Sequence, residues 1–63
     1  MDRKTFVARL RQIHVTDMNA FAIYTDLAKL TRDPAQRKIF SAIAKDEKKH
    51  VELCKRMISI LEK

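Results

Sequence analysis

Three polar residues of this sequence, Asp17, Glu47 and His50, belong to the types that bind transition-metal ions. Glu47 and His50 stand three positions apart, and this spacing places two side chains on the same face of a helix. A carboxylate oxygen and an imidazole nitrogen on one face can bind a single ion. Iron, manganese and zinc all accept these ligands, so the ligand types do not select one of the three metals.

The elements that would position these residues are two long helices. The one strong break in the helical sequence is Asp33-Pro34, where Asp33 suits an N-cap and Pro34 suits the first helical position. Gln36 follows Asp33 by three residues, as in a capping box. We therefore predict an all-α antiparallel hairpin, with helix 1 over about 2–31 and helix 2 over about 34–62.

Both predicted helices carry an inward stripe at steps of three and four residues. The stripes comprise Phe6, Leu10, Ile13, Asp17, Phe21, Tyr24, Leu27 and Ala28 on helix 1, and Phe40, Ile43, Glu47, His50, Cys54, Met57 and Leu61 on helix 2. In a hairpin that turns between residues 32 and 33, Asp17 lies opposite residue 48. Asp17, Glu47 and His50 therefore share one level, and we expect them to converge on a metal ion. The alternative is a buried polar layer in which His50 and Asp17 pair and fix the helix register.

The predicted hairpin, a single domain over residues 1–63, is too small to be stable on a core of its own. Chains of this length usually add disulfides, a metal or a partner chain, and Cys54 is the only cysteine. A two-fold homodimer would form a four-helix bundle and supply two copies of each candidate ligand. That is the number found in di-iron and di-manganese bundles, in which each of two helices contributes Glu-x-x-His and the other two contribute a carboxylate.

Composition also indicates the compartment of the protein and which other partners are expected. The sequence has no apolar run of about 20 residues and no signal-peptide pattern, and a lone cysteine is typical of a reducing compartment. We therefore expect a cytoplasmic protein without a membrane partner. The net charge is +6, but the 14 basic residues are spread along the chain without interleaved aromatic residues. A solvated surface is the favoured interpretation over a polyanion-binding oligomer, so nucleic acid is not an expected partner.

The segment from Asp17 to His50 resembles the ferritin-like superfamily, in particular the rubrerythrin and erythrin type. The first-helix pattern of that family, E-x6-Y-x2-L-A, is similar to the stretch from Asp17 through Tyr24 to Ala28, with Asp in place of Glu. The family turn often contains D-P, as in Asp33-Pro34. Its second-helix pattern, I-A-x-D-E-x-x-H, is matched by the stretch from Ile43 to His50.

The resemblance implies a ferritin-like four-helix bundle with a di-iron centre that acts in iron oxidation or in peroxide or oxygen reduction. By resemblance, Glu47, His50 and Asp17 are metal ligands and Tyr24 is a catalytic-site residue. His14, three residues before Asp17, is a further candidate ligand or a neighbour of the ligands. The alternative function is a non-enzymatic bundle that serves as a scaffold or interaction module with a decayed metal site.

Overall fold

The computed structural model describes residues 2–62, which form two helices, α1 (Arg3–Leu30) and α2 (Pro34–Leu61). Each helix has 28 residues, and the two pack against each other along a rod of 46 × 14 × 14 Å. The described part of the chain contains no strand. The predicted all-α hairpin is therefore confirmed. The helices stop one residue short of the predicted limits at three ends, because Asp2, Thr31 and Glu62 are capping residues.

The turn is held by side-chain contacts around Asp33. Its carboxylate accepts hydrogen bonds from the backbone N–H groups of Ala35 (2.9 Å) and Gln36 (3.4 Å), as expected of an N-cap. The structure differs from the predicted capping box in one hydrogen-bond partner. Gln36 accepts a hydrogen bond from the Thr31 hydroxyl (3.0 Å), and that hydroxyl accepts the Asp33 N–H (3.3 Å). Thr31 thus takes the place that Gln36 would have beside the Asp33 amide.

At the other end of α1, Asp2 is the N-cap and accepts a hydrogen bond from the backbone N–H of Thr5 (2.7 Å). This bond lowers the pKa of Asp2 because it stabilises the ionised carboxylate. Both helices therefore begin at an acidic cap.

The core between the helices is small. Only Leu10, Ala44, Cys54 and Ile58 are buried among the described apolar residues. The Cys54 thiol donates a hydrogen bond to the Leu10 carbonyl oxygen (3.1 Å) and ties α2 to α1. Cys54 is thus a core residue. A hairpin with so few buried side chains has little apolar burial to stabilise it.

Much of the remaining apolar surface lies on one side of the hairpin, which we call the open face. It consists of six side chains that are each 45–59% exposed: Phe6, Ile13, Ile39, Leu53, Met57 and Ile60. Their spacings, seven residues on α1 and fourteen, four and three residues on α2, keep them on one side of each helix. Both helices contribute to the same side, because Phe6, Met57 and Ile60 line one groove together with Leu61.

Within residues 2–62, neither helix is both long and apolar enough to span a membrane.

Candidate metal centre

The structure brings Asp17, Glu47 and His50 together near the middle of the hairpin. One potential ligand atom of each residue lies within 4.8 Å of the other two. Nδ1 of His50 is 3.8 Å from Oε1 of Glu47, as the three-residue spacing on one helix face requires. Asp17 reaches this pair from α1, so the cluster joins the two helices. It is the one group of three or more such residues in the part of the chain that the structure describes.

Glu47 contains the polar atom that most needs a partner. Its side chain is 20% exposed, and its Oε2 is buried without a hydrogen-bond partner in the structure. An unpaired carboxylate oxygen away from water is costly, and charged groups cost more than neutral ones. A cation held jointly by Glu47, Asp17 and His50 would satisfy this oxygen. The donor set therefore fits a metal ion.

The cluster is accessible from the open face. His50 precedes Met57 by seven residues, which places the imidazole on the same side of α2 as that open-face side chain. The His50 side chain is accordingly 57% exposed, whereas Asp17 is half-buried between the helices. A protein surface that covered the open face would therefore also cover the cluster.

The other two candidate residues lie around this group. His14 is half-buried one helical turn before Asp17 but is not one of the three converging residues. Tyr24 lies two turns after Asp17, and its ring packs against Phe40 with a centroid separation of 6.3 Å. On the helical rise, Tyr24 is displaced from Asp17 by ~10 Å along α1. Tyr24 is half-buried, and its described contact is this packing against an aromatic ring.

The charge of the cluster also favours a cation. Asp17 and Glu47 place two carboxylates within 4.8 Å of each other and of His50. Like charges at this distance repel, and the interaction strengthens where water is excluded. No lysine or arginine forms an ion pair with either carboxylate among residues 2–62, where the one ion pair of a lysine or arginine is Arg11–Glu62. The two acids are thus left without a fixed positive side chain.

Comparison with known proteins does not assign this chain to a family: no protein-family model, no curated protein and no solved structure matches it.

Proposed function

We propose that two copies of this hairpin pack through their open faces into a ferritin-like four-helix bundle that holds a carboxylate–histidine di-metal centre, with iron as the metal. Its function would be iron oxidation or the reduction of peroxide or oxygen. The observation that carries the proposal is the convergence of Asp17, Glu47 and His50 from two helices, with one buried Glu47 oxygen left without a partner.

The exposed apolar side chains support the dimer. Phe6, Ile13 and Leu53 are each about half exposed in the isolated hairpin, and burial of such side chains drives association. A two-fold interface brings the same surface of both copies together. Because the cluster lies on that surface, dimerisation would place two clusters at the centre of one bundle and remove His50 from solvent.

The number of carboxylates supports two ions. A dimer would contribute two copies each of Asp17, Glu47 and His50, which makes four carboxylates and two imidazoles. Four negative charges in a region shielded from water are balanced by two divalent cations. This donor set is the one described for di-iron and di-manganese bundles, with the shorter Asp17 in place of the usual glutamate.

The chain's own residues have separable roles in this proposal. Glu47 and His50 bind the metal from one face of α2, and Asp17 binds it from α1 and so couples the site to the packing of the hairpin. The apolar side chains of both open faces exclude water from the bundle centre. Bound iron would supply the electrons that reduce peroxide or oxygen. Tyr24, two turns away on α1, would line the same apolar interior.

Metal content tests this function directly. Protein purified without chelators should contain about one iron ion per chain by elemental analysis, as expected for a pair of ions in a dimer. The Glu47→Gln variant, purified in the same way, should contain much less, because the substitution removes a charged ligand while preserving the size of the side chain. Equal metal content in the two proteins would show that the metal is bound elsewhere and would contradict the proposal.

Asp17→Glu is expected to increase the affinity for Fe(II), because the extra methylene lengthens the reach of the carboxylate toward an ion held by Glu47 and His50. If Asp17 instead only fixes the register of the helices, the longer side chain should overpack the interior at a cost of ~1–3 kcal/mol. Anaerobic calorimetric titration measures the affinity, and a thermal melt of the metal-free protein measures the packing cost. Weaker binding together with a lower melting temperature would remove Asp17 from the ligands.

A further inference from the structure

A large part of the chain's positive charge lies on the solvent-facing side of helix α2. Its basic residues occur as three adjacent pairs, Arg37-Lys38, Lys48-Lys49 and Lys55-Arg56, with Lys45 between the first two. The pairs are separated by 11 and 7 residues, which correspond to about three and about two helical turns. All three pairs therefore lie on one side of the helix. We call the seven residues the basic face.

The basic face accounts for the whole net charge of the protein. Its seven residues are half of the 14 basic residues of the chain. One of the eight acidic residues, Glu52, lies among them. The other seven basic residues are balanced by the other seven acidic residues, so the excess of +6 resides here. A charge excess concentrated on one face creates a directional electrostatic field, whereas the same charges in a mixed surface would largely cancel.

The seven cations are free to bind a ligand. All are exposed, and none forms an ion pair within residues 2–62, where the lysine or arginine that does so is Arg11. Only Arg37 has a described hydrogen bond, which its guanidinium donates to the Thr31 carbonyl oxygen (3.0 Å). The basic face is also separate from the surfaces already assigned. It lies about a third of a turn from the side that contacts α1 through Cys54 and from the open face, so it remains exposed in a dimer.

We propose that the basic face binds the phosphate backbone of duplex nucleic acid without regard to sequence. A straight helix presents the row from Lys38 to Arg56 over ~27 Å, and duplex DNA offers one negative charge per ~1.7 Å of its axis. Lysine and arginine side chains neutralise such phosphates and release the condensed counterions. The proposal is independent of the metal centre, because it involves none of the three clustered residues.

The composition of the basic face favours a duplex over other polyanions. Single strands are bound by cations interleaved with aromatic side chains on which bases stack, and the basic face contains no aromatic residue. An anionic membrane surface is bound by helices that also insert apolar side chains, and the exposed large hydrophobic residues of α2 belong to the open face and not to the basic face. Binding to the regular double row of phosphates of a duplex requires neither aromatic stacking nor apolar insertion.

The test is fluorescence anisotropy with a labelled 30-base-pair duplex of mixed sequence over a range of salt concentrations. The face variant replaces Lys48, Lys49, Lys55 and Arg56 with Gln. The control variant replaces Arg3, Lys4, Arg9 and Lys29 of α1 with Gln, which removes the same charge from exposed positions elsewhere. Gln is a good helix former, so both variants should fold. Circular dichroism of each variant is the check on folding.

For the wild type, we expect log K to fall linearly with log salt concentration. The face variant should lose at least about tenfold more affinity than the control, and its slope should be smaller by about 3.6, which corresponds to four lost phosphate contacts at ~0.9 each. The Glu47→Gln variant should bind the duplex like the wild type. This result would hold even if the metal proposal failed, so the two proposals can be judged separately.

Four results would overturn the inference. Equal weakening in the face and control variants would show that only net charge matters. Tighter binding to a labelled single strand of the same length than to the duplex would show that duplex nucleic acid is not the preferred ligand. Tighter binding to vesicles rich in phosphatidylserine would show the same. An affinity of the wild type that does not change with salt would exclude phosphate contacts altogether.

Discussion

The double variant Ile13→Glu and Leu53→Glu, which places two glutamates on the open face, is expected to convert the proposed dimer into monomers. Both side chains are about half exposed in the single hairpin and would be buried against the second copy. A two-fold interface contains each substitution twice, and an unpaired charge in an apolar interface is costly. A loss of at least ~4 kcal/mol of association free energy would raise the dimer dissociation constant about 1,000-fold. Sedimentation equilibrium at micromolar concentration measures the change.

The matched control uses apolar residues of α1 that lie off the open face. Val15 and Met18 are 56% and 49% exposed, and their positions lie well over a quarter of a turn from Ile13 on α1, on the side away from the open face. The double variant Val15→Glu and Met18→Glu adds the same charge and should remain dimeric. If the wild type is itself a well-folded monomer, or if both double variants dissociate alike, the open face is not the dimer interface.

The second large effect that we expect is an increase in the stability of the folded protein when metal binds. A ligand that binds only the folded state stabilises it by ~2.7 kcal/mol at a concentration 100-fold above its dissociation constant, which corresponds to a rise of roughly 10–20 °C in melting temperature for a domain of this size. We expect the wild type to show such a rise with Fe(II) or Mn(II) under anaerobic conditions. Glu47→Gln and His50→Ala should lose most of it, because each removes one of the converging side chains that we propose as ligands.

The metal-free forms of these variants should remain folded. Gln at position 47 removes a charged oxygen that has no partner, so the metal-free bundle should lose little stability and can even gain some from reduced repulsion with Asp17. Glu52→Gln and His14→Ala are the matched controls, since Glu52 is exposed and neither residue belongs to the converging group. Both controls should keep the metal-induced rise. A rise of equal size in all five proteins would exclude Glu47 and His50 as ligands.

The path of the chain and the convergence of the three candidate ligands could be predicted from sequence for a simple physical reason. Asp33-Pro34 is the one place where two long helical segments can be separated, and once the turn is fixed, the constant helical rise sets which residues lie at the same level. This rise places Asp17, Glu47 and His50 at one level, and one potential ligand atom of each lies within 4.8 Å of the other two.

The division of each helix into separate surfaces was harder to predict. The sequence placed Phe6, Leu10 and Ile13 in one inward stripe, but the structure buries Leu10 and leaves Phe6 and Ile13 about half exposed. A single neighbouring helix covers only part of a helix surface, so a broad apolar stripe contains both a contact with that helix and an open face. Which residues belong to which surface depends on the rotation of the helices about their axes.

The basic face was missed for a related reason. Followed in sequence order, lysine and arginine occur throughout the chain and indicate a solvated surface. Their grouping emerges only when the separations of Arg37, Lys48 and Lys55 are compared with the helical period, because 11 and 7 residues both return to nearly the same side of α2. Periodicity of charge is thus as informative in this helix as periodicity of apolar residues.

Native mass spectrometry of protein loaded with Fe(II) under anaerobic conditions tests the central proposal most directly, because one spectrum reports both the number of chains and the number of bound ions. The proposed centre predicts a dimer that carries two iron ions, and a dimer without iron for the Glu47→Gln variant. A monomer, or a dimer of wild-type chains that binds no iron, would contradict a metal centre built from Asp17, Glu47 and His50 of two copies.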